Sequence, residues 1–279
     1  MNLWYQFCDM LPFEMLHWDF MKNALLAIFL ITPLLGLTST MIVTGRMSFF
    51  SDALGHSAFT GIAIGAICGI AAPTWVAVIV SLVFALLFSF VRSKSNQAAD
   101  TLIGVFSSTA VALGIFVATL DGGSFTKYNK YLIGDILSVT PGEIAVLAIV
   151  LILVTLYWIF ASNKLILCAL HPQLASSRGI RVNLTQTIFT AAVSVIVTLS
   201  ISWVGLLILN SLLVLPGAAS RNIAKNMKQY HLFSVLIALL AGIIGLFLSY
   251  TLGSSAGAAI SLVLAGFFAI SFLLRKGKS

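Results

Sequence analysis

Long apolar runs, separated by short polar stretches, make up most of the sequence after residue 22. A helix that crosses the hydrocarbon core of a bilayer needs roughly 20 apolar residues. The pattern therefore predicts an all-α polytopic membrane protein with about eight to nine transmembrane helices. The clear spans are predicted at residues 23–45, 54–71, 74–91, 101–119, 143–161, 232–250 and 256–274.

The apolar stretch 186–219 is longer than one crossing requires. Ser202, Trp203 and Gly205 lie at its middle, and a glycine inside an apolar run favours a break. We interpret the stretch as two short legs, 186–202 and 203–219.

The distribution of basic residues predicts the orientation. With the basic C-terminal tail in the cytoplasm, alternating crossings leave only Lys22, Lys127 and Lys130 outside, as expected when cytoplasmic loops carry the excess of Lys and Arg. The N-terminus is then outside and the C-terminus inside. A single crossing over 186–219 would instead move one of two basic loops, 163–185 or 221–231, to the outside. The basic residues assigned to the cytoplasm are Arg46, Arg92, Lys94, Lys164, Arg178, Arg181, Arg221, Lys225, Lys228, Arg275, Lys276 and Lys278.

Composition agrees with a membrane protein and excludes a soluble enzyme. Of the 279 residues, 60% are hydrophobic and 8% are charged, and the mean hydropathy is +1.09. Soluble domains carry about 25% charged residues. The net charge of +7 comes from short basic clusters between apolar runs, so no nucleic-acid partner is predicted. The three cysteines lie far apart, without the spacing of a zinc site or a disulfide framework.

The first 21 residues form a separate N-terminal extension. Its apolar residues recur at helical spacing, which is typical of a short helix in the membrane interface. Pro12 opposes a continuous helix, so an interfacial anchor and a disordered overhang both stay open. The residues at helical spacing are Trp4, Phe7, Leu11, Met15 and Trp18.

Asp52 and His56 are the candidate metal ligands. Residues four apart lie on one helical face, so both side chains can reach one site. A carboxylate and an imidazole suit Mn²⁺, Fe²⁺ or Zn²⁺, and two ligands suit a transported ion better than a tightly held one. A second copy at a twofold axis would add a second Asp and His. The alternative is that Asp52 caps the helix and His56 packs above it.

Gly61, Gly65 and Gly69 follow as a stripe of small residues, which predicts close helix packing in a membrane. Three further polar residues have a structural and a functional interpretation. Asp100 opens a span and is expected to cap it, Asp135 either caps a short helix or helps an incoming cation, and Asn210 either lines a cavity or bridges helices.

Two predicted cytoplasmic loops have the character of docking surfaces for another protein. One contains Ala175 and Gly179, a spacing suited to a short helix that ends at glycine. The other leaves a membrane leg at Pro216 and runs to Arg221. The terminal 277–279 only imitates the end of a Walker A motif, so any ATP use requires a separate subunit.

A series of segments resembles the membrane permease subunits of bacterial ABC importers for zinc, manganese and iron. The resemblance extends from about residue 20 along almost the whole chain, and the order and spacing of the segments make it specific. Gly55 stands where such permeases often have alanine. The matching segments are RMSFFSDALGH at 46–56, Gly61 and Gly65, DTLIG at 100–104, YLIGDIL at 131–137 with Thr140 and Pro141, the 175–179 loop and VGLLILNSLLVLPGAA at 204–219.

The resemblance implies a permease domain over 22–275 with a basic cytoplasmic tail at 276–279, in a bacterial cytoplasmic membrane. It implies a second permease copy, separate cytoplasmic ATPase subunits and an extracytoplasmic metal-binding protein as partners, besides membrane lipid. Asp52 and His56 match the metal-path residues of the family, and the 175–179 loop matches its coupling region. The implied chain is not an enzyme and holds no permanent cofactor: the divalent metal is cargo, and the partner subunit uses ATP.

Two other functions are weighed against this one. An intramembrane aspartyl protease would pair Asp52 with Asp135, but the predicted topology puts these near opposite faces, and Leu132 stands where the Gly-x-Gly-Asp motif needs glycine. A stand-alone secondary transporter or channel for a metal cation would need no ATPase. Inverted repeats would support it, and none is visible.

Overall fold

The computed structural model of the chain describes residues 2–10, 12, 14–70, 72–95, 97–120, 134 and 136–275. Within these residues the secondary structure is helical throughout, without strands. The α-helices are α1 (Asn2–Asp9), α2 (Asp19–Thr44), α3 (Phe50–Ile67), α4 (Pro73–Lys94), α5 (Ala99–Leu120), α6 (Pro141–Leu170), α7 (Pro172–Ser177), α8 (Val182–Val204), α9 (Leu206–Ile223), α10 (Met227–Leu252) and α11 (Ala256–Leu273).

Seven of these helices are long and apolar enough to cross a membrane: α2, α4, α5, α6, α8, α10 and α11. The all-helical, polytopic fold class is therefore confirmed. The spans predicted at 54–71 and 203–219 form α3 and α9, each of 18 residues. These two helices are not among the seven, so the count of eight or nine crossings stays a prediction.

Gly205 marks the break between α8 and α9. Its φ of 82° lies in the region that favours glycine, and α8 ends one residue earlier. The predicted break in the long apolar stretch is confirmed. The first leg is not short, however, because α8 spans 23 residues.

The helix predicted at 143–161 continues well beyond its apolar run. α6 has 30 residues and ends at Leu170. The 163–185 loop is therefore the last turns of α6, the short α7 and the start of α8. The helix ends where Pro172 follows, because a proline disfavours helical backbone in the residue before it.

The chain folds as two compact units. The first comprises Met1–Thr40, Asp135–Leu156 and Ser211–Ser279, and the second comprises Met41–Gly134 and Tyr157–Asn210. In the first unit α10 packs closely on α2, and the Ser234 hydroxyl donates a 2.6 Å hydrogen bond to the Gly36 carbonyl. In the second unit α3 packs against α4 and α5, where the rings of Phe50 and Phe88 lie 4.7 Å apart.

The N-terminal extension folds back on the start of α2. Asp9 forms a 2.6 Å ion pair with Lys22, whose side chain is buried. The indole of Trp4 donates to the Lys22 carbonyl, and the Tyr5 hydroxyl donates to Asn23. The two helical pieces of the extension, α1 and a 3₁₀ turn at Glu14–His17, lie on either side of Pro12. Its place in a membrane interface stays a prediction.

Candidate cation site

The first turn of α3 carries Asp52, and His56 lies one turn further along the same face. The segment between α2 and α3 contains Arg46, which has a left-handed φ of 53°. Phe49 occupies the N-cap position of α3, so Asp52 does not cap the helix as one interpretation held. A carboxylate in a first turn is stabilised by the positive end of the helix dipole.

Three neighbours hold the Asp52 carboxylate. The Nδ2 amide of Asn210, from α9, donates a 2.9 Å hydrogen bond to Oδ1. The hydroxyl of Ser107, from α5, donates to Oδ2 over 3.3 Å. Nε2 of His56 lies 3.5 Å from the same Oδ2. Three helices thus converge on one carboxylate and fix its direction.

Both candidate ligands remain accessible. The side chains of Asp52 and His56 are 38% and 26% exposed in the single chain. Among the described residues, no lysine or arginine forms an ion pair with Asp52. Neutral hydrogen-bond donors orient the carboxylate without cancelling its charge, so the site keeps an attraction for a cation.

The described residues supply two candidate metal ligands to the site, Asp52 and His56. Within the part of the chain that the structure describes, no group of three or more His, Cys, Asp or Glu side chains could hold a metal ion. Structural zinc sites use four such ligands. Two partly exposed ligands are suited to transient binding of a transported ion.

The glycine stripe divides into two kinds of position. A Cβ on Gly61 would lie 2.5 Å from the Ala77 Cα, and one on Gly65 would lie 3.0 Å from the Pro73 Cα, so α3 and α4 approach closely there. Gly69 differs from the prediction for the stripe. It has a φ of 69° just beyond the end of α3, and a Cβ there would meet nothing within 4 Å. Gly69 ends the helix and does not pack against a neighbour.

Of the other polar candidates, only Asn210 joins the described site. Asp100 is exposed in the first turn of α5, seven residues before Ser107, and α5 begins at Ala99, so Asp100 is not its N-cap. Asp135 lies outside the described residues. Ser107 was not predicted, and its only signal in the sequence is a hydroxyl within an apolar span.

The expected coupling residues lie on two segments. Ala175 is buried in α7, and Gly179 follows that helix with a φ of 76°. Contrary to the expectation that a membrane leg ends at Pro216, α9 continues through this proline to Ile223, with Arg221 exposed in its last turn. The Ser39 hydroxyl accepts a 2.8 Å hydrogen bond from the Gly217 amide and so supports the helix beside the proline.

Seven helices long enough to cross a membrane and an accessible carboxylate–imidazole pair are the features that a membrane transport protein for cations would need. Residues 17–275 match the model of the ABC 3 transport family, and the chain belongs to this family. It is therefore a permease subunit of an ABC transporter, with ATP hydrolysis in a separate subunit, and it is not itself an enzyme. The resemblance drawn from the sequence is confirmed.

Relatives that are named as metal permeases match nearly the whole chain. The high-affinity zinc uptake system membrane protein ZnuB of Haemophilus influenzae is 28% identical, over 88% of this chain and 93% of its own. The manganese import system permease protein ScaB of Streptococcus parasanguinis is 29% identical, over 92% and 91%. The solved structure of PsaBC from Streptococcus pneumoniae in complex with Fab matches with a TM-score of 0.79 at 26% identity, covering 91% of both chains.

Proposed function

We propose that this chain is the membrane permease subunit of an ATP-driven importer of a divalent transition metal, Zn²⁺, Mn²⁺ or Fe²⁺. The observation that carries the proposal is the partly exposed Asp52–His56 pair, whose carboxylate accepts hydrogen bonds from Asn210 and Ser107. Zinc and manganese importers among the relatives support the choice of metals. All three ions accept carboxylate and imidazole ligands.

The proposed path runs between two copies of the permease. Two ligands from one chain are too few, and a homodimer with twofold symmetry doubles them to two carboxylates and two imidazoles. An extracytoplasmic metal-binding protein docks outside and releases the ion into this path. The ion rests briefly at Asp52 and His56 before it leaves inward.

Energy for the cycle comes from two cytoplasmic ATPase subunits. In the proposed topology the chain crosses the cytoplasmic membrane of a bacterium nine times, with the N-terminus outside. The domain bounds stay as proposed, with the permease domain at 22–275, the extension before it and the basic tail after it. The segments of Ala175–Gly179 and Pro216–Arg221 then face the cytoplasm. Movement of the ATPase subunits pushes these segments and alternates access to the path.

The metal content of cells under metal limitation tests this proposal. A strain that lacks the protein is compared with the same strain carrying the wild-type gene, and mass spectrometry measures zinc, manganese and iron. We expect one of the three metals to fall in the deletion strain and to recover with the gene. Unchanged levels of all three would contradict the proposed substrate class.

The single exposed cysteine among the described residues tests the topology. Cys68 follows α3 and lies on the extracytoplasmic side of the membrane in the proposed topology, whereas Cys8 and Cys168 are buried. Burial also raises the pKa of the Cys8 thiol, which lowers its reactivity. We expect a membrane-impermeant maleimide to label intact spheroplasts at Cys68, and Cys68→Ser to abolish the labelling. Labelling that requires permeabilised membranes would place Cys68 in the cytoplasm and overturn the orientation.

Asn210 is proposed as a positioning residue. Asn210→Leu keeps the side-chain size but removes the 2.9 Å hydrogen bond to Asp52. Loss of a group that orients a metal ligand costs roughly 10–100-fold in metal affinity, so we expect the metal concentration for half-maximal uptake to rise about tenfold. Ser107→Ala, which removes the longer bond, should raise it less. Initial uptake rates measured against metal concentration check both variants, and an unchanged half-maximal concentration in Asn210→Leu would refute the role.

A further inference from the structure

A cavity lined by a charged residue shares no residue with the Asp52 site. A cavity of about 120 Å³ forms where Met41 of α2, Arg92 of α4, Leu165 of α6 and Phe189 of α8 come together in the second unit. Its walls are mostly apolar, and Met41, Leu165 and Phe189 are buried. Among the described residues that line it, Arg92 alone carries a charge.

Arg92 has no anionic partner within the described residues. Its Nη1 lies 3.0 Å from the sulfur of Met47, a weak acceptor, and no carboxylate forms an ion pair with it. A guanidinium in apolar surroundings is costly unless an anion pairs with it. The cavity is therefore complementary to a ligand with a negative group and an apolar body.

We propose that this cavity binds the phosphate of an anionic phospholipid from the cytoplasmic leaflet. Arg92 would take the phosphate as a bidentate donor, and the amide of Gln186, which also lines the cavity, would be a further donor. The cavity holds a phosphate and its neighbouring carbons, and the acyl chains lie outside. Exposed Leu170 and Ile188, next to lining residues Ala169 and Phe189, provide apolar surface for them.

The leaflet follows from the proposed topology, which puts the end of α4 on the cytoplasmic side, where anionic lipids are enriched. The lipid site does not depend on which ion the permease carries. A free phosphate ion would gain nothing from the apolar walls, whereas a phospholipid uses both parts of the site. The lipid would contact the C-terminal ends of α4 and α6 and the N-terminal end of α8, beside α7.

Native mass spectrometry of the purified permease–ATPase complex tests the site. The complex is titrated with palmitoyl-oleoyl phosphatidylglycerol and, separately, with the matching phosphatidylcholine. We expect one phosphatidylglycerol to bind more tightly than phosphatidylcholine. Arg92→Gln should weaken that binding about tenfold, because hydrogen bonds to charged groups contribute strongly. Ala169→Leu, which fills the cavity and keeps Arg92, should weaken it as well.

Lys94→Gln is the matched control, since it removes one exposed positive charge two residues away. We expect less than about a twofold change for this variant, because exposed charges contribute little.

An equal loss in Lys94→Gln, or no loss in both Arg92→Gln and Ala169→Leu, would overturn the site. Displacement of the lipid by equimolar inorganic phosphate would show a free-anion site instead. If lipid bound to the permease alone but not to the complex, the cavity would be a contact with the ATPase subunit and the lipid site would be overturned. Metal uptake in cells is measured separately, so failure of the transport proposal and failure of the lipid site are distinguishable.

Discussion

Replacing Asp52 with asparagine is expected to reduce metal uptake by about 100-fold or more. The change keeps the size and shape of the side chain but removes the negative charge and the carboxylate ligand. Loss of groups that only support a metal ligand already costs roughly 10–100-fold in affinity, and Asp52 is proposed as a ligand itself. In a homodimer the substitution removes both carboxylates from the path at once. Initial rates of radioactive metal uptake, at matched membrane abundance, provide the measurement.

Asp19→Asn is the control for this prediction. Asp19 also lies in the first turn of a helix, and its side chain is 77% exposed, so the same chemical change there should leave uptake near the wild-type rate. His56→Ala, as a separate single substitution, should also reduce uptake. Normal uptake in Asp52→Asn would separate the transport function from this site, and the metal path would have to lie elsewhere.

Gly61→Leu is expected to have the largest effect on stability. The new side chain would push against the backbone of α4 at Ala77, where a Cβ alone would already approach to 2.5 Å. Backbone cannot give way as a flexible side chain does, so α3 and α4 must separate. Forcing extra atoms into a packed interior typically costs about 1–3 kcal/mol. We expect a lower melting temperature and a lower yield of monodisperse protein in detergent.

Gly266→Leu gives the comparison for the same substitution without the clash. Gly266 lies in α11, and a Cβ there would meet nothing within 4 Å. Leucine also has a higher helix propensity than glycine, so stability should be unchanged or slightly higher. Equal melting temperatures for Gly61→Leu and the wild type would show that α3 and α4 do not approach closely at this position.

Hydropathy predicted the helices well, because a span of about 20 apolar residues is a local signal. The break at Gly205 could also be predicted locally, because glycine adopts the positive φ that this position requires. The extent of α6 was not predicted. Its apolar run ends before Lys164, yet the helix continues to Leu170, because hydropathy reports depth in the membrane and not where helical backbone stops.

The candidate site could be predicted only in part, because some of its residues come from segments that are distant in the sequence. Asp52 and His56 are four residues apart, so helical periodicity alone brings them to one face. Ser107 and Asn210 come from α5 and α9, and only tertiary packing shows that both reach the same carboxylate. Gly69 belonged to the stripe by spacing, but the end of α3 removed it from the packed face.

ATP-driven uptake by the reconstituted complex is the sharpest test of the proposed import function. The permease, its ATPase subunit and the metal-binding protein are placed in proteoliposomes, and entry of ⁶⁵Zn²⁺, ⁵⁴Mn²⁺ and ⁵⁵Fe²⁺ is followed. We expect uptake of at least one of these ions to require both ATP and the binding protein, and we expect Asp52→Asn to abolish it. Uptake by the permease alone, driven by an ion gradient without ATP, would contradict ATP-driven import and favour a secondary transporter.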